Sequence, residues 1–387
     1  MAAALSREQL LTMYFRLGYS NIEIRTVLAG KHNIVLSERH TKRLLNRLGL
    51  YQRKNLSDDI EIAEFIQKQI RASGKLHGYK WMHLKCRQAG LMVSRETVRV
   101  ILSILDPVGV RLRSTQQIVR RTYHSRGPNF VWHVDGYDKL KKYGIAISGC
   151  IDGFSRKIIW LEASYTNNNP ALIAGYFVNA VQACGGCPSI VRADMGTENV
   201  LIEQMQNFFR RNQANNSFVY GKSTRNQRIE AWWAMLRKHC SQYWMELLQT
   251  LCDEGHFCGD SLDQELIRFC FLEIIQTELD EISIEWNHHH IRKSHERGGN
   301  VRNGRPAIMY DAPEIFEAED YICRVPEEEL HECREECNFK SDIPCDEDLH
   351  ELCLLLIHEN DLQIPTNGEE ARQIYRFLRP ILRAEIG

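Results

Sequence analysis

The chain has 387 residues, 43% of them apolar and 26% charged. No apolar run reaches the ~18 residues of a membrane-spanning helix, and no long apolar stretch follows Met1 as in a secretory signal. Thirteen cysteines, an odd set without framework spacing, exclude a disulfide scaffold and fit a reduced intracellular protein. The net charge of −1 conceals a division, because residues 1–130 carry 23 Lys and Arg against 9 Asp and Glu, whereas residues 311–387 carry 7 against 21. A basic front half implies a polyanionic partner through phosphate neutralisation and counterion release.

Three short helices are predicted first. Ser6-Arg-Glu-Gln9 and Ser20-Asn-Ile-Glu23 are capping-box patterns, with stops expected at Gly18 and Gly30. Ser37 opens a third helix closed by Gly49, on which Thr41, Leu44, Leu45 and Leu48 share one face. Arg39, Lys42, Arg43, Asn46 and Arg47 fill much of the rest, so the three helices read as a helix-turn-helix with a basic recognition helix. The plainer reading is a small bundle for protein contacts. A second unit of the same element order follows, with Ser57 predicted to cap a helix to about Ala72, then Tyr79–Ala89, then a helix opened by Ser94. Arg95 and Arg99, four apart on that last helix, are candidate DNA contacts. Residues 111–126 read as a basic linker.

The middle changes character. Val131–Asp135, Tyr143–Ile151 and Lys157–Ala163 are apolar runs joined by turn signals, which predicts an antiparallel meander. Pro170–Ala183, a strand Ser189–Asp194, a helix Glu198–Arg211, a strand Phe218–Tyr220 and a helix beginning at Asn226 complete a mixed sheet with helices on its faces. Residues 261–290 read as helix. Three carboxylates stand out in this block. Asp135 and Asp194 each end a strand, and Glu230 lies in the first turns of a helix, with 35 residues between it and Asp194. Brought together, they make an oxygen-lined site for hard divalent cations, the arrangement that metal-assisted phosphoryl transfer needs. Nearby carboxylates have other expected uses: Asp138 lies beyond the strand, Asp152 serves an Asp-Gly turn, and Glu198 starts a helix. Arg237 and Lys238, two turns past Glu230, face either DNA phosphate or solvent, and Trp232 and Trp233 are expected to pack in the core and at its rim.

The segments His133-Val-Asp135-Gly-Tyr-Asp-Lys-Leu, Gly149-Cys-Ile-Asp-Gly-Phe-Ser-Arg, Gly221-Lys-Ser-Thr-Arg-Asn-Gln-Arg-Ile-Glu230-Ala-Trp-Trp and Trp286-Asn-His-His-His-Ile-Arg carry a resemblance. Residues 132–306 resemble the integrase catalytic core of retroviral integrases and DNA transposases, nearest to a eukaryotic group of integrase-core proteins. The resemblance implies an RNase H-like fold, a catalytic and metal-binding triad of Asp135, Asp194 and Glu230, and two Mg²⁺ or Mn²⁺ ions. It also implies DNA as partner and a homo-oligomer on DNA. Where such cores read Asn-Gly-x-Glu after the second Asp, this chain has Met195-Gly-Thr-Glu198, so an amide is missing there.

Several other patterns carry less. Gly221-Lys-Ser-Thr imitates the end of a phosphate-binding loop without its upstream glycine, which argues against a nucleotide cofactor. Cys184-Gly-Gly-Cys187 has no partner pair. His288, His289 and His290 are expected at a solvated surface. His331, Cys333, Cys337, Cys345, His350 and Cys353 form a weak zinc pattern. The expectation is therefore an α/β protein with an RNase H-like mixed sheet flanked by helices. Its segments are 1–54 and 55–113 (helix-turn-helix units), 124–311 (integrase core) and 312–387 (acidic and helical, either a separate module or docked on the basic half). The expected function is two-metal cleavage and strand transfer on DNA in the nucleus, with no membrane contact. The alternatives are a DNA-binding or interaction protein that keeps the fold without catalysis, and a nuclease acting on RNA–DNA hybrids.

Overall fold

A computed structural model describes residues 5–51, 56–114, 125–213, 216–221, 226–291 and 303–386. The helices and strands, in chain order, are α1 Arg7–Arg16, α2 Asn21–His32, α3 Glu38–Arg47, α4 Asp59–Arg71, α5 Tyr79–Gln88, α6 Arg95–Leu105 and α7 Pro107–Ser114, then β1 Val131–Tyr137, β2 Ala146–Asp152, β3 Ile158–Ser164, α8 Pro170–Cys184, β4 Ile190–Ala193, α9 Val200–Phe209 and β5 Phe218–Tyr220. They continue with α10 Gln227–Leu236, a π-helical turn Arg237–Ser241, α11 Gln242–Asp253, α12 Ser261–His288, α13 Pro306–Asp311, α14 Glu327–Glu335, α15 Glu347–Glu359 and α16 Gly368–Ile386. Among the described residues no helix is long and apolar enough to cross a membrane. Two compact units result: a helical unit of Met1–Pro128, Phe154–Lys157 and Ile284–Asp320, and a sheet unit of Asn129–Gly153, Ile158–Ser283 and Tyr321–Gly387.

In the helical unit, both predicted capping boxes form, with Ser6 and Ser20 each accepting an N–H three residues on. Gly18 ends α1 at a φ of +80° that a side chain would strain. Gly30 does not stop α2, which runs on to His32 and turns at Asn33 in the left-handed region. One glycine costs a helix only about 1 kcal/mol against alanine, and the burial of Val27 and Leu28 outweighs it. α1–α3 share a core that includes Leu11, Phe15, Ile24, Leu28 and Leu44, closed by Ile308 of α13. α4–α6 form a second core around Ile62, Ile66, Met82 and Val98. Ser57 does not cap α4; that position belongs to Asp58, and the Ser57 hydroxyl instead accepts the Met92 N–H at 3.0 Å. α7 occupies the start of the expected linker, and residues 115–124 lie outside the described ones.

The sheet unit is built on five strands in the order β3-β2-β1-β4-β5, with β1–β2–β3 antiparallel and β4 and β5 parallel to β1. This is an RNase H-like mixed sheet. Strand alternation decides what each face carries. Trp132 and Val134 of β1 and Val191 and Ala193 of β4 point into a core with Leu172, Phe177 and Val181 of α8 and Ile202 of α9. The odd-numbered residues of β1 therefore face the other way, toward α10. The acidic C-terminal segment joins this unit and is not a separate module. Leu330 and Cys333 of α14 complete the α8 core, Arg211 pairs with Glu329 at 2.7 Å, and Tyr375 of α16 donates to the His256 carbonyl at 2.8 Å.

Candidate metal and active site

The face of β1 opposite the core presents His133, Asp135 and Tyr137, and each meets the helix that begins at α10. His133 Nδ1 lies 2.6 Å from Asn226 Oδ1, the Asp135 carboxylate accepts from Trp233 Nε1 at 2.8 Å, and Tyr137 Oη lies 2.6 Å from Ser241 Oγ. Asn226, 1% exposed, also donates to the Val134 carbonyl at 2.8 Å, and its own carbonyl accepts the Glu230 N–H at 3.2 Å. One amide side chain thus fastens the first turn of α10 to β1, and with it Glu230. The β1–β4 register pairs His133 with Arg192. Carried on two residues, that offset leads to Asp194, just past the end of β4, and its charge acts on Asp135.

Asp135 is the central carboxylate. Burial first, and then the like charges of Asp194 and Glu230, push its pKa up to about 7 against the Trp233 hydrogen bond. Glu230, though exposed, is raised too, by desolvation and then by Asp194. Among the described residues, the charges that act on these two groups are carboxylates. An acceptor-only cluster of carboxylates is a donor set suited to a hard cation. Its ligand atoms do not all close within 4.8 Å of one another, because among the described residues only Cys258, Asp260 and Asp263 do so. In that tighter group the place of a cation is already filled by Arg379 and Arg383, 2.7 and 3.0 Å from Asp263 Oδ1.

Four residues of the site were not legible as such in the sequence. Trp233 is more than packing, since its N–H holds one oxygen of Asp135. Gly149 stands opposite Asp135 in the β1–β2 register, and a Cβ there would lie 2.6 Å from the Trp233 ring, so glycine is what lets the indole reach the carboxylate. Asn226 is the third. Asn199 is the fourth: its amide donates to Glu198 at 2.8 Å and, at a long 3.4 Å, to Asp194. The amide missing at Met195, which is 83% exposed, is thereby present four residues later. Glu198 lies in the turn that leads into α9, as expected. Its carboxyl also senses the site, raised by burial and then by Asp194 and Asp138. Asp138 pairs with Lys141 at 3.3 Å and accepts from Asn167 at 2.7 Å. Asp152 caps the Asn129 N–H at 2.8 Å, ahead of β1, and does not serve its own turn.

The basic candidates are spread over both units. Arg39, Lys42, Arg43 and Arg47 all lie on the exposed side of α3, with Lys42 paired to Glu38 at 2.6 Å and Arg43 bonded to His40 at 3.1 Å. Arg95 is exposed, and Arg99 is exposed but held by Glu96 at 2.5 Å. Arg237 is exposed and donates to Gln242 at 3.0 Å, whereas Lys238 is half-buried. The π turn they occupy breaks the 3.6-residue repeat that set them two turns above Glu230. His288 and His289 are not a solvated surface: His288 Nδ1 lies 2.7 Å from the Tyr19 hydroxyl, His289 Nδ1 lies 2.6 Å from the Trp286 carbonyl, and burial first pushes both down to about 4. The weak zinc pattern divides, with Cys333 and Cys337 against α8 and Cys345 and Cys353 near Cys270. Cys187 bridges instead to Cys323 through paired backbone hydrogen bonds. Lys222–Arg225 lie outside the described residues.

A family model of the integrase core domain matches residues 122–301, a span that contains all three carboxylates and α10. No curated protein matches the chain.

Proposed function

From the premise that residues 122–301 are an integrase core domain, we propose that the protein binds DNA and cleaves and joins its strands at Asp135, Asp194 and Glu230 with two Mg²⁺ or Mn²⁺ ions. One observation carries this reading: the charges of Asp194 and Glu230 act on Asp135, and that of Asp194 on Glu230, so the three carboxylates form one cluster at the end of β1. Integrase core domains usually use divalent metals. Bound there, such ions supply an activated oxygen nucleophile and steady the leaving oxygen. The open spacing of the ligand atoms suits two ions about 4 Å apart better than one closed shell.

The chain's own residues do the positioning. Trp233 fixes the Asp135 carboxylate by a bond to one of its oxygens, and Asn226 keeps Glu230 in register with β1. α1–α3 serve as a helix-turn-helix with Arg39, Lys42, Arg43 and Arg47 toward DNA, and α4–α6 as a second such unit with Arg95 and Arg99. The surface pairs of Lys42 and Arg99 do not oppose this, since exposed ion pairs are worth only about 0–1 kcal/mol and yield to phosphate. Arg237 and Lys238 are the contacts proposed next to the site. The reading carries with it a homo-oligomer on DNA and a nuclear location. A second reading, a DNA-binding protein that keeps the fold without turnover, draws on Met195. Nicking of supercoiled plasmid in Mn²⁺ decides between them: activity in the wild type that Asp135→Asn abolishes supports catalysis, and equal nicking by both proteins refutes it.

A further inference from the structure

The helical unit contains a cavity of about 940 Å³ between α2, α5, α6 and the segment after α12. Four basic side chains line it, Lys80, Arg87, Arg95 and Arg305, against a single carboxylate, Glu23. Two of the arginines form a fixed floor. Arg305 pairs with Glu23 at 2.9 Å and donates to the Gly18 carbonyl at 2.5 Å, and Arg87 donates to the Phe15 carbonyl at 2.6 Å. Both guanidiniums lie over Gly18, where a methyl group would stand 3.5 Å from Arg87 Nη1 and 3.9 Å from Arg305 Nη2. Glu23 offsets the charge of Arg305, whereas the Phe15 carbonyl holds Arg87 in place without neutralising it. The mutual repulsion of the two guanidiniums is felt at Arg87, held below its usual range by burial and then by Arg305 and Arg95. Lys80 and Arg95 are exposed and stand at the rim.

The geometry points to this cavity as a nucleic-acid contact separate from the α3 surface, one that grips the phosphodiester backbone of DNA through Lys80, Arg95 and the arginine floor. This inference rests on the reading that the helical unit binds DNA. Ser20 and Ser94, the capping residues of α2 and α6, also line the cavity, so two helix N-termini add partial positive charge where phosphate would lie. A long polyanion suits the site better than a compact one, because α3 and α6 of the same unit carry further exposed cations. The chain's own acidic segment is not the occupant the charge calls for: Glu329 is already paired with Arg211 inside the sheet unit, and α16 presents arginines to Asp263 and Glu254 there.

The test is fluorescence anisotropy of the full chain with a fluorescein-labelled duplex over a salt series, alongside thermal melting. Lys80→Ala/Arg95→Ala removes two exposed rim charges, and its melting curve checks that the variant is folded. It should bind more weakly for every duplex sequence, with the salt slope reduced by about 2, since each lost phosphate contact lowers it by about 0.9. A triple variant Arg39→Ala/Arg43→Ala/Arg47→Ala is expected to weaken binding and flatten sequence preference instead. An unchanged slope in the rim variant, with binding lost in the α3 variant, overturns the cavity contact and leaves the DNA reading standing. Wild-type protein that binds poly-glutamate and no duplex overturns both and identifies an acidic protein partner.

Discussion

Two places in the sheet unit gather carboxylates, and the fold treats them in opposite ways. Asp263 is fully buried, and two arginines from α16 meet it at 2.7 and 3.0 Å. Burial raises its carboxyl, yet the hydrogen bonds from Arg379, the Cys258 backbone and Arg383 outweigh this and hold it below the usual range. Asp135 is also largely withdrawn from water, but its nearest charges are two more carboxylates, and its pKa rises to about 7. A protein that needed Asp135 only for packing would gain by pairing or replacing it. The compensated cluster is therefore a structural ion-pair hub, whereas the one at Asp135, which has no such ion pair among the described residues, is the proposed metal site.

That contrast can be broken by mutation. The largest effect expected is at Asp135→Asn, which should reduce Mn²⁺-dependent nicking by roughly 1,000-fold, about 4 kcal/mol of barrier. The same variant should raise the melting temperature without metal, because it removes a repelled, half-buried charge; a fall would place Asp135 among the structural carboxylates. Asp263→Ala should do the reverse. It strands two arginines and is expected to cost about 3–5 kcal/mol of stability in urea melts, with nicking per folded molecule unchanged. Asn226→Ala stands between them. It removes the bonds that Asn226 makes to His133 Nδ1 and to the Val134 carbonyl, at about 1–3 kcal/mol in all, and by loosening Glu230 it should slow nicking by about 10–100-fold.

The sharpest part of the fold in the sequence was the part governed by local rules. Ser6, Ser20, Ser37 and Ser94 each cap a helix as the hydroxyl-at-N-cap rule requires, and the apolar run Val131–Asp135 forms a strand. The triad residues were legible as candidates because strand ends and one helix bore them at a recognisable spacing. What supports them was not, because it depends on register. Gly149 is an ordinary strand glycine until β1 and β2 pair, and Asn226 and Trp233 are ordinary helix residues until α10 lies on β1. Ser57 was misread for a similar reason: its hydroxyl had a tertiary partner, Met92, that competed with the local cap. The buried histidines at 288 and 289 were taken for surface because three histidines in a row carry no periodicity to reveal a packed face.

The smallest effect expected comes from those same histidines. His83, His288 and His289 are each pushed down to about 4, burial leading in every case. Between pH 6.5 and about 4 the unfolded chain binds protons that the folded unit refuses, so stability is lost as pH falls through that window. Replacing one ring, in His83→Phe, should shrink the difference between urea melts at pH 7 and pH 5 by roughly 2 kcal/mol; an unchanged difference would mean that this ring is solvated after all.

The central claim is that the carboxylates of Asp135, Asp194 and Glu230 hold divalent cations. Isothermal titration of Mn²⁺ into the full chain tests it without requiring turnover. The account predicts binding by the wild type and by Asp263→Ala, and its loss in Asp135→Asn. Binding that survives Asp135→Asn unchanged, or that disappears with Asp263→Ala while that variant remains folded, would contradict it.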